Sequence, residues 1–280
     1  MNFHEPITVN FDTRVSCRLY RDARPNCLEI AQLQKGLVLM IDGTELIEEG
    51  VGFGAPVVQY EDCTYFSGSA HVSVETEGEH TVLVKSFILD AVSRKRVGKA
   101  FLINDDFYDF IHRPFDSIYM HNKRLKPVFT KLVELVKVFG VNTEFVKVKP
   151  RGLVTVRYTC LPGSVEVAVS LTELNKFRCK EILILNEQGA AFFRKYADTD
   201  GLMLTNGQVG VWEPVKAEEA SFSNANGKVA FSLKNVEGSV FFRGREKIRN
   251  RCSWVGLGYS LHPRLKVFRY IIKLRHSALS

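Results

Sequence analysis

The amino-acid sequence predicts a mainly β fold, specifically a large antiparallel β-sandwich with one helical insertion near residues 104–140. Short segments rich in β-branched and aromatic residues recur about every 8–12 residues, and turn signals separate them. The 20 Phe and 9 Tyr residues suit the half-buried faces of strands. We therefore expect one β-sandwich domain over residues 1–280, with a seam where the strand pattern lapses between residues 104 and 140.

The N-terminal part contains eight candidate strands. They cover residues 7–11, 14–20, 27–33, 36–41, 56–60, 63–66, 70–76 and 80–92. Asp42-Gly43 predicts a hairpin turn, because Gly adopts the positive φ that such turns require. In the longest segment, Val82 and Phe87 lie in opposite phases, which predicts a bulge or bend around Ser86.

The middle of the chain has a different pattern. Residues 104–122 are interrupted by Pro114, and the sequence is consistent with either a broken helix or a structured loop. Residues 126–139 have helical periodicity, with Pro127 in the first turn and Gly140 as a terminator. This segment is the predicted helical insertion.

Strand signals resume after residue 141. The candidate strands cover residues 143–149, 153–160, 164–171, 181–185, 209–212, 215–222, 229–233, 239–243, 253–261 and 266–274. Residues 176–180 and 190–195 are candidates for short helical turns. Two packed layers are the usual arrangement for so many strands.

Several classes of protein and site are disfavoured by the composition. No run approaches the ~18 apolar residues of a membrane span, and the N-terminus lacks a signal-peptide pattern, so we expect a cytoplasmic protein. The six cysteines include no C-x-x-C pair, which favours buried thiols over disulfides or metal ligands. The seven histidines form no H-x-x-x-H or H-x-H pair, and we predict neither a metal nor a cofactor.

Positive charge is concentrated near the C-terminus. The whole chain has a net charge of +7, but residues 243–275 alone contain ten cations and one carboxylate, a net charge of +9. In a single strand, alternate side chains share a face. The cations that would align in this way are Arg243, Arg245, Lys247, Arg249 and Arg251.

This basic segment is the strongest predicted binding site. Arginine forks bind carboxylate or phosphate groups, so we assign anion contacts to Arg243, Arg245, Arg249 and Arg251. The nearby aromatic residues Trp254 and Tyr259 would offer stacking surfaces for sugars or bases. The alternative is a solvated edge strand that its charges protect from association.

Three further residues are candidates for a site. His112 lies in the irregular middle segment, and Glu187 follows an apolar strand; either would suit proton transfer. The alternative for His112 is an ordinary structural role, and the alternative for Glu187 is an exposed turn residue. Tyr65 would line a pocket or pack in the core. The glycines of the segment 50–56 do not match a dinucleotide-binding loop, so we expect them either to let a strand bend or to permit close backbone approach to a neighbour or ligand.

At the level of architecture, the sequence resembles the galactose-mutarotase-like supersandwich proteins, which include sugar epimerases and domains of polysaccharide lyases. The similarity consists of nearly 300 residues of β pattern, aromatic-rich strands and a closing strand pair at residues 254–261 and 267–274. No family motif matches residue by residue. The resemblance implies a supersandwich-like fold and a link to carbohydrates.

These observations lead to three hypotheses about function. The preferred one is a carbohydrate-related protein, either sugar-binding or sugar-modifying, with an anionic carbohydrate favoured by the basic segment. The second is a nucleic-acid-binding module, whose affinity would fall steeply with salt. The third is a non-catalytic interaction scaffold, which would have no deep polar pocket. Enzymatic activity and oligomeric state stay open.

Overall fold

The computed structural model describes residues 4–11, 13–25, 32–46, 51–97, 100–102, 141–248 and 251–276. The predicted helical insertion, residues 104–140, lies outside these residues. Within the described ranges, no helix is long and apolar enough to cross a membrane.

Antiparallel strands form the described part of the chain, and the predicted mainly β class is confirmed. The strands before the undescribed segment are β1 Ile7–Asn10, β2 Val15–Leu19, β3 Arg24–Pro25, β4 Gln32–Leu33, β5 Leu37–Ile41, β6 Thr44–Glu45, β7 Phe53–Tyr60, β8 Thr64–Glu77, β9 His80–Val97 and β10 Ala100–Leu102. Those after it are β11 Val141–Lys147, β12 Leu153–Leu161, β13 Ser164–Ser170, β14 Cys179–Gly189, β15 Phe193–Asp198, β16 Met203–Thr205, β17 Glu213–Pro214, β18 Glu219–Asn224, β19 Val229–Lys234, β20 Ser239–Ile248, β21 Arg251–Leu261 and β22 Val267–His276.

The pairings arrange these strands in two layers. The first layer runs in the order β1, β2, β5, β7, β14, β21, β20, β17. The second runs β8, β9, β12, β13, β22, β19, β18, β15, β16, and β11 extends the β12 edge of β9. A short pairing between β7 and β8 joins the two layers.

Aromatic side chains fill the space between the layers. The rings of Phe53 and Phe231 meet edge to face at 5.2 Å, and those of Tyr259 and Tyr270 lie 4.9 Å apart. The Tyr158 hydroxyl, from the second layer, donates to the Phe53 carbonyl oxygen of the first at 2.8 Å. Burial alternates along β12 and β22, so each strand turns one set of side chains to this core and the other outward.

Local turn chemistry agrees with the sequence at the first hairpin. Asp42 and Gly43 both adopt positive φ, and Ile41 pairs with Thr44 across them, as predicted. The predicted bulge is displaced, however. Ser86 pairs regularly with His71, and the register shifts instead between Phe66 and Ser69 in β8.

Other boundaries also differ from the predictions. Residues 209–212 form no strand, and residues 193–195, expected in a helical turn, begin β15. In the basic segment, β20 ends at Ile248 and β21 begins at its paired neighbour Arg251. The expectation of five cations on one strand face is therefore wrong, because the chain reverses inside the segment.

Candidate functional site

A groove of about 880 Å³ lies on the outer face of the second layer. Its floor is formed by outward-facing residues of β12, β13, β22 and β19, and its rim includes residues of β18 and the loop that follows β19. The inward-facing residues of the same strands form the core, so ordinary strand alternation exposes polar side chains in the groove. We call this concavity the outer groove.

Charges of both signs line the outer groove in equal number. The cations are Arg157, Lys234, Arg269 and Lys273. The carboxylates are Glu77, Glu166, Glu219 and Glu237. The formal charge of the lining is therefore zero, in contrast to the net +9 of the C-terminal segment that contributes two of its cations.

Three of the four groove cations are ion-paired. Arg157 donates to Glu75 and, at 3.0 Å, to Glu77. Lys234 contacts Glu218 at 3.1 Å. Lys273 contacts Glu219 at 2.9 Å. These pairs fix the side chains around the groove.

Glu219 is the best anchored of the groove carboxylates. Burial raises its pKa, but hydrogen bonds from Lys273 and from the Ser232 hydroxyl, at 2.7 Å, outweigh this effect. The pKa of Glu219 therefore lies below its usual range, and the group is an ionised acceptor at neutral pH.

Arg269 differs from the other groove cations. No described residue forms an ion pair with its guanidinium, and the side chain is exposed. Its neighbour across the β13–β22 ladder is Ala168, whose other neighbour, on β12, is Arg157. The two arginines thus flank a small residue on adjacent strands.

The outer groove also offers apolar and hydroxyl groups. Ile271 is 48% exposed, and Thr159 and Ser232 contribute hydroxyls. Apolar surface beside fixed hydrogen-bonding groups is the usual composition of a small-molecule site.

Glu187 lies in β14, outside the outer groove, and is 3% exposed. β14 continues through this residue to Gly189, so the alternative of an exposed turn residue is wrong. Its Oε2 accepts a hydrogen bond from Val51 N at 3.1 Å. Gly256 lies opposite, where an added Cβ would come within 3.0 Å of the Glu187 Cγ, so the missing side chain makes room for the carboxylate.

The glycine-rich segment and the residues around Glu187 meet, as close backbone approach requires. Gly54 N donates to Asn186 Oδ1 at 3.0 Å, and the Tyr270 hydroxyl donates to the same oxygen at 2.8 Å. A Cβ on Gly54 would lie 2.8 Å from the Tyr158 hydroxyl. The expectation of close approach is confirmed. The Asn186 Nδ2 and both amide atoms of Gln188 are buried, and none of the described residues forms a hydrogen bond with them.

Arg243 points between the layers instead of into solvent. Its side chain is 13% exposed, donates to Glu213 at 3.0 Å and to the Tyr196 hydroxyl at 3.3 Å, and lies 3.9 Å from Asp198. Arg245 follows on the same inner face of β20, opposite Val255, and is half-buried. Neither arginine lies in the outer groove.

The three aromatic residues that were predicted to contact a ligand lie in the interior of the protein. Tyr259 is fully buried, stacks on Phe241 and donates its hydroxyl to the Lys234 carbonyl oxygen at 2.6 Å. Tyr65 is buried and accepts a hydrogen bond from Arg151 Nε at 3.3 Å. Trp254 is nearly buried in β21. These contacts favour structural roles for all three rings.

The remaining predicted site residues are not placed. His112 and Arg249 lie outside the described residues, and Arg251 is described only as the first residue of β21. Within the described part of the chain, no group of three or more His, Cys, Asp and Glu side chains is arranged to hold a metal ion.

The groove residues were not among the predicted site residues. The sequence did contain a pattern that indicated which side chains face outward. In three plainly alternating strands, Arg157, Glu166 and Arg269 occupy positions between the apolar inward-facing residues. What the sequence lacked was the order β12–β13–β22, which brings these side chains together.

Sequence comparison gives no relative for this chain. No protein-family model matches it. No curated protein matches it either.

Comparison with solved structures identifies proteins with a similar fold. An α-N-acetylgalactosaminidase from Bifidobacterium bifidum, in complex with GalNAc, matches with a TM-score of 0.50 and 10% identity over 96% of this chain. The chain spans 35% of the length of that enzyme. At this identity the match shows a shared fold alone.

Two further structures cover nearly the whole of both chains. A galactose mutarotase-like protein from Lactobacillus casei has a TM-score of 0.43 and 8% identity, over 97% of this chain and 99% of its own. A protein from Synechocystis sp. PCC 6803 has a TM-score of 0.41 and 9% identity, over 98% and 97%.

Proposed function

We propose that this chain binds carbohydrate in the outer groove. The observation that carries the proposal is an open concavity of about 880 Å³ whose lining presents carboxyl groups, guanidinium groups and hydroxyls. Sugar hydroxyls both donate and accept hydrogen bonds, so they need acceptors and donors at fixed positions, which the ion pairs at Glu219 and Arg157 provide.

The fold comparison supports the carbohydrate class without identifying the ligand. The galactosaminidase that shares the fold is in complex with GalNAc. Because this chain spans about a third of that enzyme, the sugar enters the proposal as a chemical class and not as a specific ligand.

The two alternative functions receive less support. A nucleic-acid site needs an excess of positive charge, whereas the lining of the outer groove sums to zero. A scaffold without a ligand predicts no sizeable polar concavity. Gel-shift binding that weakens steeply with salt would favour the first alternative over the carbohydrate proposal.

A steric block of the groove floor tests the proposal. Ala168 projects outward between two arginines, so Ala168→Phe should fill the floor and lower oligosaccharide affinity at least about tenfold, or ~1.4 kcal/mol. The measurement is a glycan array followed by isothermal titration with the neutral and acidic oligosaccharides that bind.

Two further variants complete the experiment. Thr159→Phe blocks the same floor from another strand, in case Ala168→Phe folds poorly. Thr8→Phe adds the same ring to an exposed position on β1, outside the groove, and should leave binding unchanged. The proposal fails if the unmodified protein binds no oligosaccharide, or if both groove variants bind as tightly as it does.

A further inference from the structure

We propose that Arg269 makes the outer groove selective for sugars that carry a carboxylate, such as hexuronic acid residues. This inference rests on the proposed function, since it concerns the same groove. It identifies one residue as the determinant of specificity and one chemical group as its ligand.

The strand order creates the carboxylate position. Arg157, Ala168 and Arg269 are successive cross-strand neighbours on β12, β13 and β22. Adjacent strands lie about 4.8 Å apart, so the two arginine Cα atoms are roughly 10 Å apart, with only a methyl group between them. A small planar anion fits over Ala168.

The two arginines contribute differently to this position. Arg157 is held by Glu75 and Glu77, so its charge is already compensated. No described residue forms an ion pair with Arg269. An arginine fork binds a carboxylate through two parallel hydrogen bonds, a geometry that a lysine ammonium does not offer.

The charge balance indicates a single negative charge on the ligand. Four cations and four carboxylates line the groove, so one monoanion at Arg269 adds little repulsion, whereas a dianionic phosphate or a polyanion finds no excess of positive charge. Glu166, a diagonal neighbour of Arg269 at roughly 7–8 Å, would accept a hydroxyl of the same or the next sugar residue.

The test uses three ligands that differ at one position. We would titrate three oligosaccharides that are identical except at one sugar residue, which is a hexuronic acid, the corresponding neutral hexose or the same hexose bearing one sulfate group. The unmodified protein should bind the uronic acid form at least about tenfold more tightly than the neutral form. Arg269→Gln should reduce this preference to nearly onefold, and Arg269→Lys should keep only part of the preference of the unmodified protein.

Arg275→Gln is the matched control, because Arg275 is exposed on the same face of β22 but does not line the groove. Its preference for the uronic acid form should equal that of the unmodified protein. If no oligosaccharide binds, the proposed function fails and this inference with it. If neutral and acidic forms bind equally, if the sulfated form binds most tightly, or if Arg269→Gln keeps the preference, only the inference is overturned.

Discussion

β20 and β22 belong to the same basic segment, yet they use their arginines in opposite ways. Arg243 of β20 lies between the layers and contacts Glu213, Tyr196 and Asp198. Arg269 of β22 faces solvent in the outer groove without an ion pair among the described residues. Arg243 therefore contacts side chains of the fold, whereas Arg269 faces the outer groove.

The difference arises from the phase of each strand against the core. In β20, Phe241 faces inward and Arg243, two residues on, shares its face. In β22, Phe268 and Tyr270 face inward, so Arg269 between them faces outward. A cluster of positive charge therefore says little about a binding surface until the inward phase of each strand is known.

Removal of the Arg243 charge should have the largest effect. Arg243→Met leaves Asp198, which is 4% exposed, without its cation, and we expect the free energy of unfolding to fall by ~3 kcal/mol. Urea unfolding measures the change. Arg269→Met is the matched control and should stay within about 0.5 kcal/mol of the unmodified protein. Equal effects of the two substitutions would refute the contrast between the strands.

Lys85 is a third basic residue that can be compared with Arg243 and Arg269. None of the described carboxylates forms an ion pair with it. It is fully buried, and its Nζ donates to the carbonyl oxygens of Tyr20 and Lys35, both at 2.8 Å. Burial lowers the pKa of Lys85 to about 7, against a smaller raising effect of Asp22. In the unfolded chain its pKa is about 10.4.

The pH dependence of stability follows from this difference. Between these two pKa values the unfolded chain binds a proton that the folded chain lacks, so stability rises with pH by up to about 1.4 kcal/mol per unit. The destabilisation caused by burying the charged form of Lys85 is fully present below pH 7. Relative to Lys85→Met, the unmodified protein should gain about 2 kcal/mol between about pH 7 and 8.5. Burial raises the pKa of the Cys160 thiol, which lowers stability at higher pH, but Cys160 is present in both proteins and its effect cancels in the comparison. Parallel pH profiles for the two proteins would contradict the expectation.

The smallest expected effect concerns the ion pair of Lys273 with Glu219, at the rim of the groove. Both side chains are partly exposed, so Lys273→Met should lower the free energy of unfolding by only ~0.5 kcal/mol. The loss should disappear in about 1 M salt, where exposed charges are screened. Arg264→Met, in the turn before β22, should show no salt-dependent change. A loss that persists in high salt would indicate packing of the lysine stem instead.

Part of the candidate site was visible in the sequence. The alternation in residues 153–160 and 164–171 predicted two strands correctly and, with them, which side chains face outward. The prediction of a site around Arg243 and Tyr259 stays a prediction. The structure places Arg243 between the layers and Tyr259 in the core, which the sequence did not indicate, because charge and aromatic content do not reveal which face of a strand is buried. The antiparallel pairing of Ile248 with Arg251 was missed because the sequence has no Gly between them.

By itself, the sequence determined the mainly β class, the inward and outward phases of the well-patterned strands, and the Asp42-Gly43 hairpin. These properties depend on neighbours within a few residues, where steric and packing preferences act directly. The tertiary structure alone decided that Arg157 and Arg269, more than a hundred residues apart, flank the same alanine. Pairing order depends on contacts between distant segments, which a period of two cannot encode.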